Sequence, residues 1–365
     1  MSEALGTLVS GRLSACRRTL SERRTKRRVT PGICSRRLCA QDLRKGRGMP
    51  KVPRFIPPDT LVEVTLRTNA ERLHLRPSPE LNARILAIIA RALFLYPVML
   101  HAFTFLSNHW HALVTPCDAK ALASFLQYVH SNVAKAAQEV NGVRGKVWSR
   151  KASIIPVLDD EAQRDRLRYI LAHGTKEHLV PSPYDWPGAS SVRALALGEK
   201  LVGHWIDRRA QRRCGRRGDS VNPAHYTTAY PIDLAPLPAY ASMSAADRQL
   251  DVQQTIAAIE AENPGPCLGV DTVLAQDPNA APIKSKSTTA PAAHTRSATL
   301  RSLYQRLRGD FFAAYWAAAE EHAKRPTSVQ WPGSAFLPSG LFVRVAQQPL
   351  TSMLGGLSAL GSSSA

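Results

Sequence analysis

The chain has 365 residues, of which 44% are hydrophobic, enough for two domains or for one domain with appendages. Its 48 Lys and Arg against 28 Asp and Glu give a net charge of +20, which favours a polyanionic partner such as nucleic acid and excludes an acidic, halophile-type surface. No uncharged apolar run reaches about 18 residues, so we expect no membrane-spanning segment.

The basic charge is concentrated at the N-terminus. Residues 1–48 hold 13 Lys and Arg against 3 Asp and Glu and show no sustained hydrophobic periodicity. We expect either a basic, disordered DNA-binding arm or an upstream extension from a misplaced start codon, since the foldable pattern begins after Met49. The arm has the composition of an organellar transit peptide, but six cysteines without metal-type pairing indicate a reducing compartment, and we expect a cytoplasmic protein.

Alternating and helical hydrophobic patterns predict seven elements between residues 61 and 172. In chain order they are strand 61–66, helix 79–94, strand 98–106, strand 109–114, helix 118–140, strand 146–158 and helix 159–172. Asn141-Gly142 is expected to end the long helix, Pro156 to mark an edge or end of the fourth strand, and Gly174 to stop the last helix. This order predicts an α+β fold, an antiparallel sheet with helices packed on it.

The rest of the chain divides by composition. We expect a domain over 49–195, a mostly helical and loop-rich C-terminal extension of unknown role over 196–340, and a flexible, low-complexity tail over 341–365. Pro181, Pro183 and Pro187 mark a boundary after Val180, and the region 181–242 is expected to be loop-rich. Helices are expected over 244–261 and 297–324.

His109-Trp110-His111 is the first chemical signal. Alternate residues of a strand share a face, so both imidazoles leave one side of the sheet and Trp110 the other. Two neutral imidazoles that converge in this way can bind a divalent metal ion. The alternative is a pair of surface histidines on an exposed strand.

A second signal lies on the last helix of the predicted series. Tyr169 and His173 are four residues apart and share a helix face. Beside a metal-bound phosphate and basic side chains, the tyrosine could attack a phosphodiester and form a covalent phosphotyrosine, with His173 as a third metal ligand. The alternatives are a half-buried helix aromatic and a histidine that favours the helix C-terminus. Tyr128, on the preceding helix, is a rival nucleophile.

Four segments resemble the single-tyrosine transposases of the HUH superfamily, in particular the REP-associated tyrosine transposases with their IS200-like domain. The segments are VEVTLRT (62–68), FTFLSNHWHALV (103–114), RYILAHGTKEHLV (168–180) and PSPYDWPGASS (181–191). They keep the family's order and similar separations over about residues 50–195. The resemblance implies an RRM-like or ferredoxin-like fold, metal ligands at His109, His111 and His173, and a nucleophile at Tyr169, 58 residues after His111.

The resemblance also implies an activity. Such bacterial enzymes use Mg²⁺ or Mn²⁺ to cut single-stranded DNA beside hairpins, leaving a 5′-phosphotyrosine and a free 3′-hydroxyl, and they act as monomers or homodimers. Three features depart from the family pattern: Leu106 replaces a Met, His173 stands where many members have Asn, and residues 196–340 are absent from minimal members.

Other residues are candidates for DNA contacts. Phosphate contacts are expected from Arg54, Arg67, Lys146, Arg150 and Lys151 around the sheet. Trp148 is expected either to stack on an unpaired base or to pack in the core. The basic run Arg208–Arg217 could grip a DNA stem or form a solvated loop.

The sequence therefore predicts a metal-dependent DNA transposase or nuclease that cuts and rejoins single strands. Two alternatives stay open: a domesticated DNA-hairpin-binding protein that has kept the fold without cleaving, and a metal-dependent phosphohydrolase of small molecules, which would form no covalent adduct.

Overall fold

The computed structural model describes residues 54–215, 222–281, 290–324, 329–333, 335 and 344–345. The expected basic arm, 1–48, lies outside the described residues, and so does the expected tail, 341–365, apart from residues 344–345. Within the described part of the chain, no helix is long and apolar enough to cross a membrane.

A four-stranded antiparallel sheet with packed helices forms the first part of the fold. Its elements are β1 (Val62–Arg67), α1 (Pro79–Leu95), β2 (Val98–Phe105), β3 (His109–Pro116), α2 (Ala119–Val140), β4 (Ser153–Pro156) and α3 (Asp160–Leu171). The strands lie in the order β2-β3-β1-β4, and each neighbouring pair is antiparallel. This βαββαβ arrangement is ferredoxin-like, so the predicted α+β class is confirmed.

The helix boundaries follow from local signals. Ser78 accepts a hydrogen bond from the Leu81 amide at the start of α1, and Asp118 caps α2 in the same way. Gly142 has a φ of 63°, in the left-handed region, directly after the end of α2. Asn141-Gly142 therefore ends this helix as predicted.

The two faces of the sheet meet different partners because successive strand residues alternate. The apolar face packs on α1 and α2 through Val62, Val64, Leu66, Phe103, Trp110 and Ala112. The other face carries Glu63, Thr65, Arg67, His109 and His111, by their register in β1 and β3. Leu113 of this second face packs with Leu167 and Ile170 of α3, so α3 covers it.

The prediction of a strand over 146–158 was wrong in length. β4 spans only Ser153–Pro156 and pairs with Val62–Thr65 of β1. The next paired residues are Thr68 and Trp148, which form an isolated bridge. Between the two pairings, residues 149–152 face only residues 66–67 of β1, so a regular ladder cannot continue. β4 lies at the sheet edge, as Pro156 indicated.

The prediction that Gly174 stops the last helix was also wrong. A short helix, α4 (His173–Lys176), follows α3 through Ala172, which keeps helical dihedral angles. Gly174 serves close packing instead: a Cβ there would lie 3.1 Å from both the Trp186 ring and a Val180 methyl group. A glycine inside a helical segment is tolerated where a neighbour approaches this closely.

The C-terminal region adds a second set of elements. They are α5 (Val192–Leu197), β5 (Leu201–Ile206), α6 (Arg208–Gly215), β6 (Thr227–Ile232), α7 (Ala245–Glu262), α8 (Val270–Ala275), α9 (Ala298–Lys324), β7 (Gln330–Trp331) and β8 (Arg344–Val345). The two helices predicted over 244–261 and 297–324 correspond to α7 and α9.

The region expected to be loop-rich contains an antiparallel pair, β5 and β6. β5 lies directly on α1: a Cβ at Gly203 would be 2.7 Å from the Ala87 Cα. Most residues of both strands are at least partly exposed, so no clear alternation marked them in the sequence.

The segment after α4 extends the sheet at its β2 edge. The Phe105 amide donates to the Ala189 carbonyl, and the Ser191 amide donates to the Phe103 carbonyl, each at 2.9 Å. The Trp186 Nε1–H donates to the Phe105 carbonyl at 2.8 Å. The PSPYDWPGASS segment therefore covers an otherwise open strand edge.

We expect Gly188→Ala to destabilise this junction by about 1–3 kcal/mol, as other overpacking substitutions do. The added Cβ would lie 2.6 Å from the Phe105 carbonyl oxygen and would overlap Trp186 Nε1, so their hydrogen bond must lengthen or break. Thermal unfolding measures the effect. The matched control is Gly309→Ala in α9, where a Cβ meets nothing within 4 Å. Equal melting temperatures for both variants would contradict the prediction.

His130 of α2 makes the fold sensitive to acid. Its ring centroid lies 5.5 Å from Trp110 and 5.7 Å from Trp148, and its buried Nε2 has no hydrogen-bond partner among the described residues. Burial, with a smaller contribution from the charge of Arg54, lowers the pKa of His130 to about 3. Between the ordinary histidine pKa of about 6.5 and this value, the unfolded state binds one more proton than the folded state.

The free energy of unfolding should therefore fall as the pH is lowered through this window, by ~1.4 kcal/mol per pH unit for this one group. We expect His130→Met, which removes the titrating ring, to reduce that slope. Urea unfolding of both proteins between about pH 6 and about pH 4 measures it. Parallel curves for the native protein and the variant would count against this role of His130.

Candidate functional site

Three imidazoles converge on the sheet face that α3 covers. β3 supplies His109 and His111, and α4 supplies His173. One ligand nitrogen from each ring lies within 4.8 Å of the other two, and the Nε2 atoms of His109 and His173 are 3.0 Å apart. All three residues are buried, at 9% exposure or less. The arrangement excludes the alternative of two surface histidines on an exposed strand.

Neighbouring acceptors orient two of these rings. His109 Nδ1 lies 2.6 Å from Asn108 Oδ1. His111 Nδ1 lies 3.0 Å from Glu63 Oε1 and 2.9 Å from Thr65 Oγ1. The amide and carboxylate oxygens can only accept, so Nδ1 is the donor in both rings and Nε2 keeps the lone pair that a metal ion needs.

The local electrostatics keep the imidazoles neutral. Burial lowers the pKa of all three, and the charges of Lys176 and Arg67 act in the same direction. At His111, the hydrogen bond and charge of Glu63 oppose burial without overcoming it. The neutral ring is the form that binds a metal ion.

The donor set fits a divalent cation. Two nitrogen ligands at right angles on one ion, with bonds of ~2.1 Å, lie about 3.0 Å apart, which matches the separation of the His109 and His173 Nε2 atoms. Unlike the other two rings, His173 has no acceptor at its buried Nδ1 among the described residues, so no neighbour fixes which of its nitrogens carries the proton. All three donors are imidazoles, which suit transition metals better than they suit Mg²⁺.

Tyr169 lies beside the imidazoles. Its ring centroid is 4.7 Å from that of His173 and 5.4 Å from that of His111. Two cations flank the ring, with Lys176 Nζ 3.7 Å and Arg166 Cζ 4.8 Å from its centroid. Burial and the nearby Glu63 carboxylate raise the pKa of Tyr169, although the charges of Arg166 and Arg67 act in the opposite direction. The phenol is therefore protonated near pH 7 and must be activated to act as a nucleophile.

Glu63 is a buried carboxylate at the site that sequence reasoning missed. It is 4% exposed, and its Oε2 lies 2.7 Å from His294 Nε2 and 3.8 Å from Arg166 Nη1. Burial raises the pKa of Glu63, but the hydrogen bonds from His111 and His294 outweigh burial and hold the pKa below its usual value. The signal available in the sequence was an acid inside an otherwise buried strand, on the same face as Thr65.

His294 reaches the site from the C-terminal region. Its amide donates to the Pro156 carbonyl at 2.8 Å, and its carbonyl accepts from the Leu158 amide at 3.0 Å. This pairing extends the sheet beyond β4 and brings the imidazole to Glu63. No local pattern in the sequence marks this residue, because the contact joins segments far apart in the chain.

The basic residues predicted to contact DNA lie in different settings. Arg67 is in register with His109 at the end of β1, and its side chain is 41% exposed despite an ion pair with Glu71. The half-buried Arg54 donates from its guanidinium to the Ala152 carbonyl, so this group stabilises the fold by an internal hydrogen bond. Lys146, Arg150 and Lys151 are exposed on the segment before β4.

The two aromatic alternatives lie away from the imidazoles. Trp148 is half-buried against the core of the opposite face and donates from its Nε1–H to the His130 carbonyl at 2.8 Å. Tyr128 belongs to α2, where its ring lies 6.0 Å from both Tyr96 and Trp205. The rival nucleophile is therefore separated from the metal-binding candidates by the sheet.

No family model matches this chain, and no curated protein matches it. Among solved structures, the chain is similar to the REP-associated tyrosine transposase bound to a REP hairpin. The two share 16% identity with a TM-score of 0.32, over 52% of this chain and 96% of that one. The likeness is distant, and the function inferred for this chain rests on its own residues.

Proposed function

We propose that this chain is a metal-dependent transposase or nuclease that cuts and rejoins single-stranded DNA through a covalent bond to Tyr169. One observation carries the proposal: a buried cluster of three neutral imidazoles has a tyrosine ring 4.7 Å from one of them, flanked by two cations. A site for an ion, a nucleophile and positive charge for a phosphate are the parts that phosphodiester transfer needs.

His109, His111 and His173 would hold the ion, which on binding would polarise the scissile phosphate and stabilise the leaving oxygen. The sequence resemblance implies Mg²⁺ or Mn²⁺, and the all-imidazole donor set favours Mn²⁺ of the two. Glu63 and Asn108 would act as positioning residues, because each accepts from the Nδ1 of a ligand ring.

The chain's own residues would perform the transfer. Lys176, Arg166 and Arg67 would draw the phosphate towards Tyr169 and neutralise its charge. The phenolic oxygen would form a bond to phosphorus, and the bond from phosphorus to the 3′-oxygen would break. The proton lost by the phenol is balanced by the one that the 3′-hydroxyl gains. Attack by a 3′-hydroxyl on the phosphotyrosine reverses both changes and rejoins the strand.

The substrate should be unpaired at the cut. The imidazoles are buried between the sheet and α3, and a paired duplex would keep its phosphate away from such a pocket. The test uses labelled single-stranded hairpin DNA with Mn²⁺, and a denaturing gel then detects protein bound covalently to DNA. Hairpin binding without an adduct would indicate the non-cleaving binder, and turnover of small phosphoesters without an adduct would indicate the phosphohydrolase.

Glu63→Gln should weaken Mn²⁺ binding by about 10- to 100-fold, the usual effect of removing a group that orients a ligand histidine. The glutamine keeps the shape but loses the charge that holds the His111 Nδ1–H and the His294 ring. Isothermal titration with MnCl₂ measures the change. The matched control is Glu139→Gln, whose carboxylate binds Arg84 and Arg208 away from the imidazoles. A Glu63 variant with native Mn²⁺ affinity would remove this positioning role.

A further inference from the structure

A large groove lies on the side of the molecule away from the imidazoles. It runs between α1 and α2 on one side and β5 and α6 on the other, with a cavity volume of about 1150 Å³. Since α1 and α2 cover the apolar face of the sheet, the sheet separates this groove from Tyr169. Its volume exceeds the ~300–1,000 Å³ typical of small-molecule pockets, which indicates an extended ligand.

The groove has an apolar floor and a basic rim. The floor is formed by Leu86, Ala87, Val202, Trp205 and Ile206, and Val202 is 41% exposed. The rim consists of Lys135 and of Arg208, Arg209, Arg212 and Arg213 from α6. This lining combines a surface for flat apolar groups with one for anions.

The acidic side chains that line the groove already form ion pairs or hydrogen bonds with neighbouring residues. Glu139 binds both Arg84 and Arg208, and Glu80 binds Arg84. Asp207 accepts from the amides of residues 209 and 210 at the start of α6. Four rim cations, Lys135, Arg209, Arg212 and Arg213, form no ion pair with any residue that the structure describes.

The spacing of these cations fits a chain of negative charges. Arg208, Arg209, Arg212 and Arg213 occupy positions i, i+1, i+4 and i+5 of α6 and so share one helix face. A row of guanidinium groups binds successive phosphates, whereas a single small anion needs only one or two. The basic run is thus a helix beside a groove rather than a solvated loop over residues 208–215; Arg216 and Arg217 lie outside the described residues.

The stretches on either side of residues 54–345 carry no acidic run that could fill the groove by charge. Residues 1–53 are strongly basic, and residues 346–365 contain no charged side chain. A second copy of the chain carries the same net charge of +20. The charge of the groove rim therefore favours a foreign polyanion as the occupant.

We propose that this groove binds single-stranded DNA, with phosphates on the arginine rim and bases or sugars on the apolar floor. A single strand exposes both surfaces at once, as in other grooves for single-stranded nucleic acid. A duplex hides its bases and would leave the apolar floor uncovered. The choice of DNA rests on the proposed function, and the groove would hold a part of the strand remote from the phosphate at Tyr169.

The test compares two triple variants in the full chain. One is Arg209→Ala with Arg212→Ala and Arg213→Ala. The matched control removes three arginines from another helix, α9: Arg301→Ala with Arg306→Ala and Arg308→Ala. Fluorescence anisotropy with labelled oligothymidylate, measured over a range of salt concentrations, gives the affinity and its salt dependence for each protein.

We expect the groove variant to bind about tenfold more weakly and its slope of log affinity against log salt to fall by about 2, since each phosphate contact on a single strand contributes about 0.7. The control variant should keep the native slope. A native affinity and slope in the groove variant would overturn the proposal. So would unchanged DNA binding together with lost binding of polyglutamate, which would identify an acidic protein as the occupant.

Failure of the proposed function gives a different pattern. The native protein could form no covalent adduct while the groove variant still binds oligothymidylate more weakly. This result would support the groove as a DNA-binding site and refute the proposed chemistry at Tyr169. If the groove proposal and the proposed function are both correct, the groove variant should still form the adduct with a short hairpin at saturating concentration. Tyr169→Phe should then keep the native affinity for oligothymidylate.

Discussion

Tyr169→Phe should abolish the covalent protein–DNA adduct completely. The substitution removes one oxygen, which is the only atom that the proposed transfer joins to phosphorus. The ring itself stays, so its contacts with His173, His111 and Lys176 are preserved. We therefore expect loss of the adduct with little change in Mn²⁺ affinity or in melting temperature. A denaturing gel of labelled hairpin DNA, native protein and variant measures this.

The matched control is Tyr128→Phe. Burial raises the pKa of the Tyr128 phenol to about 12, and its ring packs with Tyr96 and Trp205 on the opposite side of the sheet. This variant should form the adduct at the native level. An adduct that survives in Tyr169→Phe and disappears in Tyr128→Phe would assign the nucleophile to the other face and refute the proposed site.

His111→Ala should weaken Mn²⁺ binding by more than about 100-fold, beyond the effect expected for removal of a positioning residue. His111 is the middle ring of the cluster, with centroids 5.1 Å from His109 and 4.4 Å from His173. Its loss leaves two ligands and removes one hydrogen-bond donor from the buried Glu63 carboxylate. Titration with MnCl₂ measures the affinity, and the exposed His204 of β5 provides the control substitution, His204→Ala.

A second variant tests the metal site independently in case His111→Ala does not fold. His173→Asn exchanges one imidazole for an amide oxygen and places at 173 the residue that the resembling family often has. Because Mg²⁺ prefers oxygen ligands, we expect this variant to bind Mg²⁺ more tightly relative to Mn²⁺ than the native protein does. An unchanged ratio of the two affinities would show that His173 is not a ligand.

The C-terminal region takes part in the architecture of the site. Residues 189–191 pair with β2 at one sheet edge, and His294 pairs beside β4 at the other. Each edge of the four-stranded sheet is thereby covered in part, which pairs some of its open hydrogen-bonding groups. His294 also contacts Glu63, which in turn orients His111, so the linker before α9 is coupled to the metal-ligand candidates.

Local patterns in the sequence were sufficient to predict the strands of the sheet and its main helices. They also predicted which of the histidines and Tyr169 share a face. The alternation of a strand places His109 and His111 on one face, and the helical period places Tyr169 and His173 on another. Both inferences need only neighbours within four residues. The errors over 146–158 and at Gly174 arose where pairing partners or close packing, and not local propensity, set the limits of an element.

Contacts between distant segments were decided only by the tertiary structure. The sheet order brings Glu63 of β1 beside His111 of β3, and the return of the chain past β4 brings His294 to the same carboxylate. In the same way, the packing of β5 on α1 turns a basic run into the wall of a groove. Sequence periodicity reports which face a side chain occupies, but it carries no information on which remote segment that face meets.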